Sequence, residues 1–249
     1  MTCLKQTLAL LTFAAGASVC SAGTVHVEFA NPIFTGSGYD NVFITFPKLG
    51  GGSTTENVLA GRFKGKGSSP DLPASIFVDG LDNLYMYCYD VYESINHGSI
   101  VDYTVNFDGE RDRTRDFIGA VNAVMNAGKS SFDQYAWLHP VNGSQGAAIQ
   151  LGIWDSLYET SPGWDIATGS FYATALDSGT SIWLNDFFNK IPFSDSIDKK
   201  YVMTFEATGA QDMITGDPPS PVPEPGSIAL FGAALAALVC TRRQQARQG

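Results

Sequence analysis

The sequence predicts an α+β fold, a β-rich sandwich with a helical block inserted before its closing strand. Three observations predict it. Short runs rich in Val, Thr, Phe and Tyr alternate between apolar and polar residues from Thr24 to Phe107, which is the period of half-buried strands. After Phe107 apolar residues recur at the three- and four-residue spacing of helices. From Tyr201 to Ala207 the alternation returns.

Val25 to Phe29, Val42 to Phe46, Asn57 to Lys64, Ile76 to Val78, Leu84 to Tyr89 and Ile100 to Phe107 read as strands, because Gly and Pro punctuate the joins between them. Gly36-Ser37-Gly38 and Gly50-Gly51-Gly52-Ser53 are loops. Asp112 to Asn126 is the first helix: Phe117, Val121, Val124 and Met125 share one face, and Gly128 stops it. A short helix is expected over Phe132 to Leu138. Gly143-Ser144 offers a cap before a helix from Gln145 to Glu159, and Thr180 to Asn189 is a further helix carrying Ile182, Trp183, Phe187 and Phe188.

With 249 residues, 44% of them hydrophobic and 16% charged, the chain has material for one good-sized domain or two small ones. Between Gly23 and Pro221 it holds 24 of the 25 acidic residues but 11 of the 15 basic ones. Such a surface repels phosphate backbones, so nucleic acid is excluded as an expected partner.

The two ends read as addresses rather than as parts of the fold. Residues 1–22 have a cation at Lys5, an apolar stretch from Leu8 to Val19, and small residues at the end, the three parts of a secretory signal peptide. The expected ectodomain is 23–216. A Pro-rich spacer follows at 217–225, then an apolar helix at 226–241 and a basic cytoplasmic tail at 242–249. The uninterrupted run from Gly226 to Cys240 would rise about 22 Å as a helix, short of the ~30 Å hydrocarbon core. Pro223-Glu224-Pro225, the short apolar run and Arg242-Arg243, in that order, resemble the PEP-CTERM sorting signal of Gram-negative bacteria. That resemblance implies recognition by an exosortase-type membrane peptidase, a transient stay in the inner membrane through the C-terminal helix, and delivery to the cell surface or an exopolysaccharide matrix.

Of Cys3, Cys20, Cys88 and Cys240, only Cys88 lies outside the segments expected to be removed. A lone exported cysteine is left as a reactive thiol, paired between molecules, buried inertly, or used in another covalent bond. On the second long helix Gln150, Ile153, Trp154 and Leu157 fall on one apolar face, while Asp155 and Glu159 point away. A buried carboxamide needs partners, since leaving it unsatisfied costs about 1–3 kcal/mol. A carboxamide facing a thiol has another option: sulfur can displace ammonia and leave an internal thioester.

Tyr87-Cys88-Tyr89-Asp90 and Gln150-Leu151-Gly152-Ile153-Trp154 resemble two signatures of bacterial surface thioester domains, and the likeness runs over roughly residues 84 to 190. Ile149 stands where many such domains have Thr, and Gly152 where they have Ala. The resemblance implies a β-sandwich with a helical insertion and a thioester joining Cys88 to Gln150; Tyr87 and Trp154 are expected to shield that bond. The implied function is non-enzymatic attachment to a surface or matrix polymer bearing amines or hydroxyls. A structural matrix protein of the same fold is the alternative.

A secreted cysteine hydrolase would need a base among His26, His97 and His139. Those histidines lack metal-ligand spacing, and Asp79 to Asp82 and Asp108 to Asp112 read as solvated turns. No cofactor, metal or catalytic residue is therefore expected.

Overall fold

The computed structural model describes residues 23–69 and 71–218. The signal peptide, the apolar C-terminal run, the basic tail and the sorting residues Pro223, Glu224, Pro225, Arg242 and Arg243 lie outside the described residues. Among the described residues, nine strands and three α-helices make up the fold. Strands β1 (Thr24–Phe29), β2 (Tyr39–Pro47), β3 (Ser53–Gly61), β4 (Phe63–Ser68), β5 (Leu84–Cys88) and β6 (Ile100–Asn106) come first. Helices α1 (Asp112–Met125) and α2 (Gly143–Tyr158), the short β7 (Tyr172–Thr174) and α3 (Ser178–Lys190) follow, and β8 (Val202–Glu206) and β9 (Met213–Gly216) come last.

The expected sandwich is instead a closed six-stranded barrel, ordered β1-β4-β5-β9-β8-β6, beside a three-stranded sheet ordered β3-β2-β7. Closure has a simple cause. β1 pairs with both β4 and β6, and the β8–β9 hairpin bridges β6 to β5, so the main sheet has no edge left. Its interior is filled by Val25, Val27, Phe29, Tyr103, Val105 and Phe205, every one of them fully or almost fully buried. β2 and β3 leave the barrel as a long hairpin, with Arg62 marking where the single expected run from Asn57 to Lys64 divides into two strands.

The helical block does sit between the sixth strand and the closing hairpin. Asn142 caps α2 by accepting from Gln145 N–H at 2.9 Å, and Asp177 caps α3 by accepting from Thr180 N–H at 2.6 Å. Two expectations are corrected here. Ile76 to Val78 is not a strand: Ile76 closes a single 3₁₀ turn, Ala74–Ile76, and Phe77 caps it; and only Ala136–Leu138 of the expected short helix is helical, again 3₁₀.

α2 is the axis of this block and is buried on nearly every side, packed by α1, α3 and the small sheet. Asp155, expected to face water, is fully buried and accepts from Arg113 Nη2 at 3.1 Å; burial raises its pKa to about 6. Glu159 is likewise buried, holding Ser161 N–H and Phe171 N–H. The apolar face predicted one buried side and missed the other, because a helix enclosed on all sides carries no amphipathic signal.

Gly152 is required by that enclosure. A Cβ there would stand 2.0 Å from the Phe117 ring, which is itself fully buried. Alanine gains up to ~1 kcal/mol of helix propensity, but displacing a core ring typically costs about 1–3 kcal/mol. Gly152→Ala is therefore expected to lower the thermal midpoint by a few degrees, roughly 2–4 °C per kcal/mol for a domain of this size. Scanning calorimetry checks it, and a higher midpoint would contradict the close contact between α2 and the Phe117 ring.

Candidate functional site

Cys88 ends β5 on the inward face of the barrel. Cross-strand partners share a face, and the register runs Cys88 to Met213, Met213 to Phe205, and Phe205 to Val105, all interior residues. Gln211 lies two residues before Met213, so the same alternation turns it to the same side at the same rim. The thiol donates to Gln211 Oε1 at 2.8 Å. Cys88 and Gln211 are 3% and 8% exposed, and both line a cavity of about 230 Å3 between the barrel rim, the inner face of β2 and β3, and Trp154 of α2.

Gln150 also reaches Cys88, but at the backbone. Its Oε1 accepts from Cys88 N–H at 2.8 Å and its Nε2 donates to Cys88 C=O at 2.9 Å. The reason lies in the register. β4 pairs with β5 as far as Phe63 and Met86; by the same register Cys88 would meet Gly61, but Gly61 has left to pair with Tyr39 in the small sheet. The amide and carbonyl of Cys88 on that side would be orphans in the core. The Gln150 carboxamide takes the place of the missing strand, so both of its polar atoms are engaged with backbone and neither with sulfur.

Tyr87 and Trp154, expected to shield one bond, separate. Trp154 lines the cavity, 3% exposed, with its indole N–H left without a partner among the described residues. Tyr87 points the opposite way because neighbouring strand residues alternate: its ring stacks on Trp137 at 5.8 Å between centroids and its hydroxyl donates to Trp137 C=O at 3.1 Å.

Asp90 ties the site together. Its carboxylate accepts from Tyr92 N–H at 2.9 Å, Glu93 N–H at 3.0 Å and Asp212 N–H at 2.6 Å, and its carbonyl accepts from Gln211 Nε2 at 2.9 Å. Tyr89 N–H donates to Asp212 C=O at 2.7 Å and the Tyr103 hydroxyl to Gln211 C=O at 2.9 Å. Gln211 is thus fixed through its own backbone, its side chain and its neighbour. Burial, and then the Asp90 carboxylate, push the Cys88 thiol well above its ordinary value, so it stands protonated.

Gln211 was not legible in the sequence as a neighbour of Cys88. It sits in the join after Tyr201 to Ala207, ahead of a strand of only four residues. The available signal was local: Gly209 as a turn, then Gln211 and Met213 in alternation, which together make a hairpin with an amide on its apolar face.

Of the three histidines, only His97 borders the Cys88 cavity. Its Nδ1 accepts from Ile33 N–H at 2.9 Å, so the neutral ring carries its proton on Nε2 and offers a donor there, not a base. His26 pairs with Asp102, and His139 Nε2 lies 3.0 Å from Asp79.

A protein family described as the PEP-CTERM protein-sorting motif matches residues 221–244. That segment contains Pro223-Glu224-Pro225 and Arg242-Arg243, the residues that carried the resemblance in the sequence. The motif indicates an exported chain sorted by an exosortase-type enzyme. No curated protein and no solved structure matches the chain.

Proposed function

From an exported, exosortase-sorted chain as the premise, we propose that its ectodomain is a covalent attachment domain carrying an internal thioester between Cys88 and Gln211. The observation that carries this reading is the thiol held 2.8 Å from the Gln211 carboxamide oxygen, inside a cavity, with no other cysteine among the described residues. The bond anticipated from the sequence is thereby moved from Gln150 to Gln211, and Gln150 becomes the group that positions Cys88.

In forming the bond, Cys88 sulfur attacks the Gln211 side-chain carbonyl carbon, the C–N bond breaks, and ammonia leaves with the thiol proton. The Cys88 S–H already points at the carbonyl oxygen and polarises it. The unpartnered Trp154 N–H is a donor available in the cavity wall as negative charge develops on that oxygen. Transfer to an amine or hydroxyl breaks the C–S bond, forms an amide or ester on Gln211, and returns the proton to sulfur. A thiol pushed up by burial is a poor leaving group as a bare thiolate, so the stored acyl group resists loss until a nucleophile supplies that proton. Each molecule reacts once, which makes the protein a reagent and not an enzyme. Its partners are surface or matrix polymers bearing amines or hydroxyls.

Intact mass of the purified protein tests this. The wild type is expected to be lighter than its sequence by one ammonia, to gain one methylamine on treatment with that amine, and to lose both properties in Cys88→Ala. A full-mass protein that forms no methylamine adduct refutes the thioester.

A further inference from the structure

β3 is the outer strand of the three-stranded sheet and is nine residues long. The bond from Lys48 N–H to Gly52 C=O, 3.0 Å, sets which of its residues face β2. Bonded and non-bonded pairs alternate along an antiparallel ladder. Thr54, Glu56, Val58 and Ala60 therefore bond to β2, while Ser53, Thr55, Asn57 and Leu59 turn their N–H and C=O groups outward. Among the described residues no hydrogen bond reaches those outward groups. Long edge strands are commonly blunted by Lys, Pro or a covering segment, yet β3 contains neither Lys nor Pro.

This free edge runs beside the reactive cavity. Glu56 and Val58 line it from the inner face of β3, and Leu59 borders it. A strand added to the edge would lie about 4.8 Å from β3, with alternate side chains on the same face as Glu56 and Val58. Glu56 at the exposed mouth and Glu93 within the lining supply negative charge, and no Lys or Arg among the described residues lines the cavity. That field draws in a cationic side chain. Ile44, Val58, Ile95 and Trp154 suit its methylene stem, and the ammonium sheds one proton to water at the exposed mouth to become the neutral amine that attacks.

We propose that the free edge of β3 docks an extended polypeptide segment of a partner protein as a fourth strand and so delivers a lysine side chain to the Gln211 acyl group. The inference rests on the Cys88–Gln211 thioester. Strand addition supplies sequence-tolerant main-chain hydrogen bonds, and the cavity supplies selection for lysine. The lysine amine attacks the acyl carbon, the C–S bond breaks, and the proton shed by nitrogen restores the Cys88 thiol, leaving a Gln211–lysine isopeptide bond.

The test uses full-length protein and three probes: methylamine, a synthetic peptide of alternating threonine and valine with one central lysine, and the same peptide N-methylated at alternate backbone positions. The unmethylated peptide is expected to be acylated about tenfold faster than its N-methylated form. Asn57→Pro, which removes an outward N–H and keeps the β2 ladder, is expected to erase that advantage while leaving the methylamine rate unchanged. Failure of methylamine to react overturns the thioester itself. Normal methylamine reaction with equal rates for the two peptides overturns the docking edge alone. Faster transfer to a glucosamine polymer than to the peptide points to a polysaccharide partner and also overturns it. A dimer in solution that Asn57→Pro dissolves assigns the edge to a second copy of this chain, with the same consequence.

Discussion

Gln211→Ala is expected to give a folded protein of full mass with a free Cys88 thiol, whereas Gln150→Met is expected to remain lighter by one ammonia and to be markedly less stable. The two glutamines flank one cysteine and do different things. The Gln211 side chain touches the sulfur and, apart from that, donates only to Asp90 C=O, so its loss removes the acyl donor at a stability cost of about 1 kcal/mol. Gln150 satisfies both backbone groups of Cys88 in the core. A methionine of similar volume fills the space but leaves an amide and a carbonyl unpaired, at about 1–3 kcal/mol each. A domain with a typical stability of about 5–15 kcal/mol survives that loss, which keeps the comparison readable. Intact mass and chemical denaturation of the two variants decide the matter. A full-mass Gln150→Met beside a lighter Gln211→Ala would give the bond back to Gln150.

Asp90→Ala is expected to remove the thioester and to destabilise the fold by about 3 kcal/mol, since hydrogen bonds to a charged group contribute roughly 1.5–3 kcal/mol each when buried and less when half-exposed. Three backbone N–H groups lose their acceptor at once, one of them on Asp212 beside Gln211. Asp90→Asn retains one acceptor oxygen and is expected to recover part of the stability. Urea titration with intact mass measures both effects. Wild-type mass loss in a destabilised Asp90→Ala protein would show that the carboxylate holds the fold without aligning the site.

Much of this architecture was legible in the chain because period and punctuation are local. The three helices appeared within two residues of their expected ends, and Gln150 was buried as the apolar face of α2 implied. Barrel closure was not legible, since it depends on β1 finding two partners far along the chain, β4 and β6, and no local pattern encodes that. That the thiol meets the Gln211 side chain, while Gln150 meets the Cys88 backbone, was hidden for the same reason. It turns on where β4 stops pairing with β5, a fact of register, and the residue that meets the thiol lies 123 positions away. Tyr87 was expected beside the sulfur, although the alternation of a strand already sets it opposite Cys88.

Gln211 lies just ahead of β9, and the described chain ends two residues beyond that strand, leading into the sorting segment at 221–244. In the proposed adduct, tension between a captured partner and a tethered C-terminus would enter at the Gln211 side chain and leave past Asp217. Only β9 and its flanks lie on that path. The other five barrel strands, the helices and the small sheet hang beside the load line, so the pull runs along the few residues of covalent backbone from Gln211 to Asp217 and not through the rest of the domain. Placed on Gln150, the same pull would have to pass through the rest of α2, β7, α3 and the barrel strands β8 and β9.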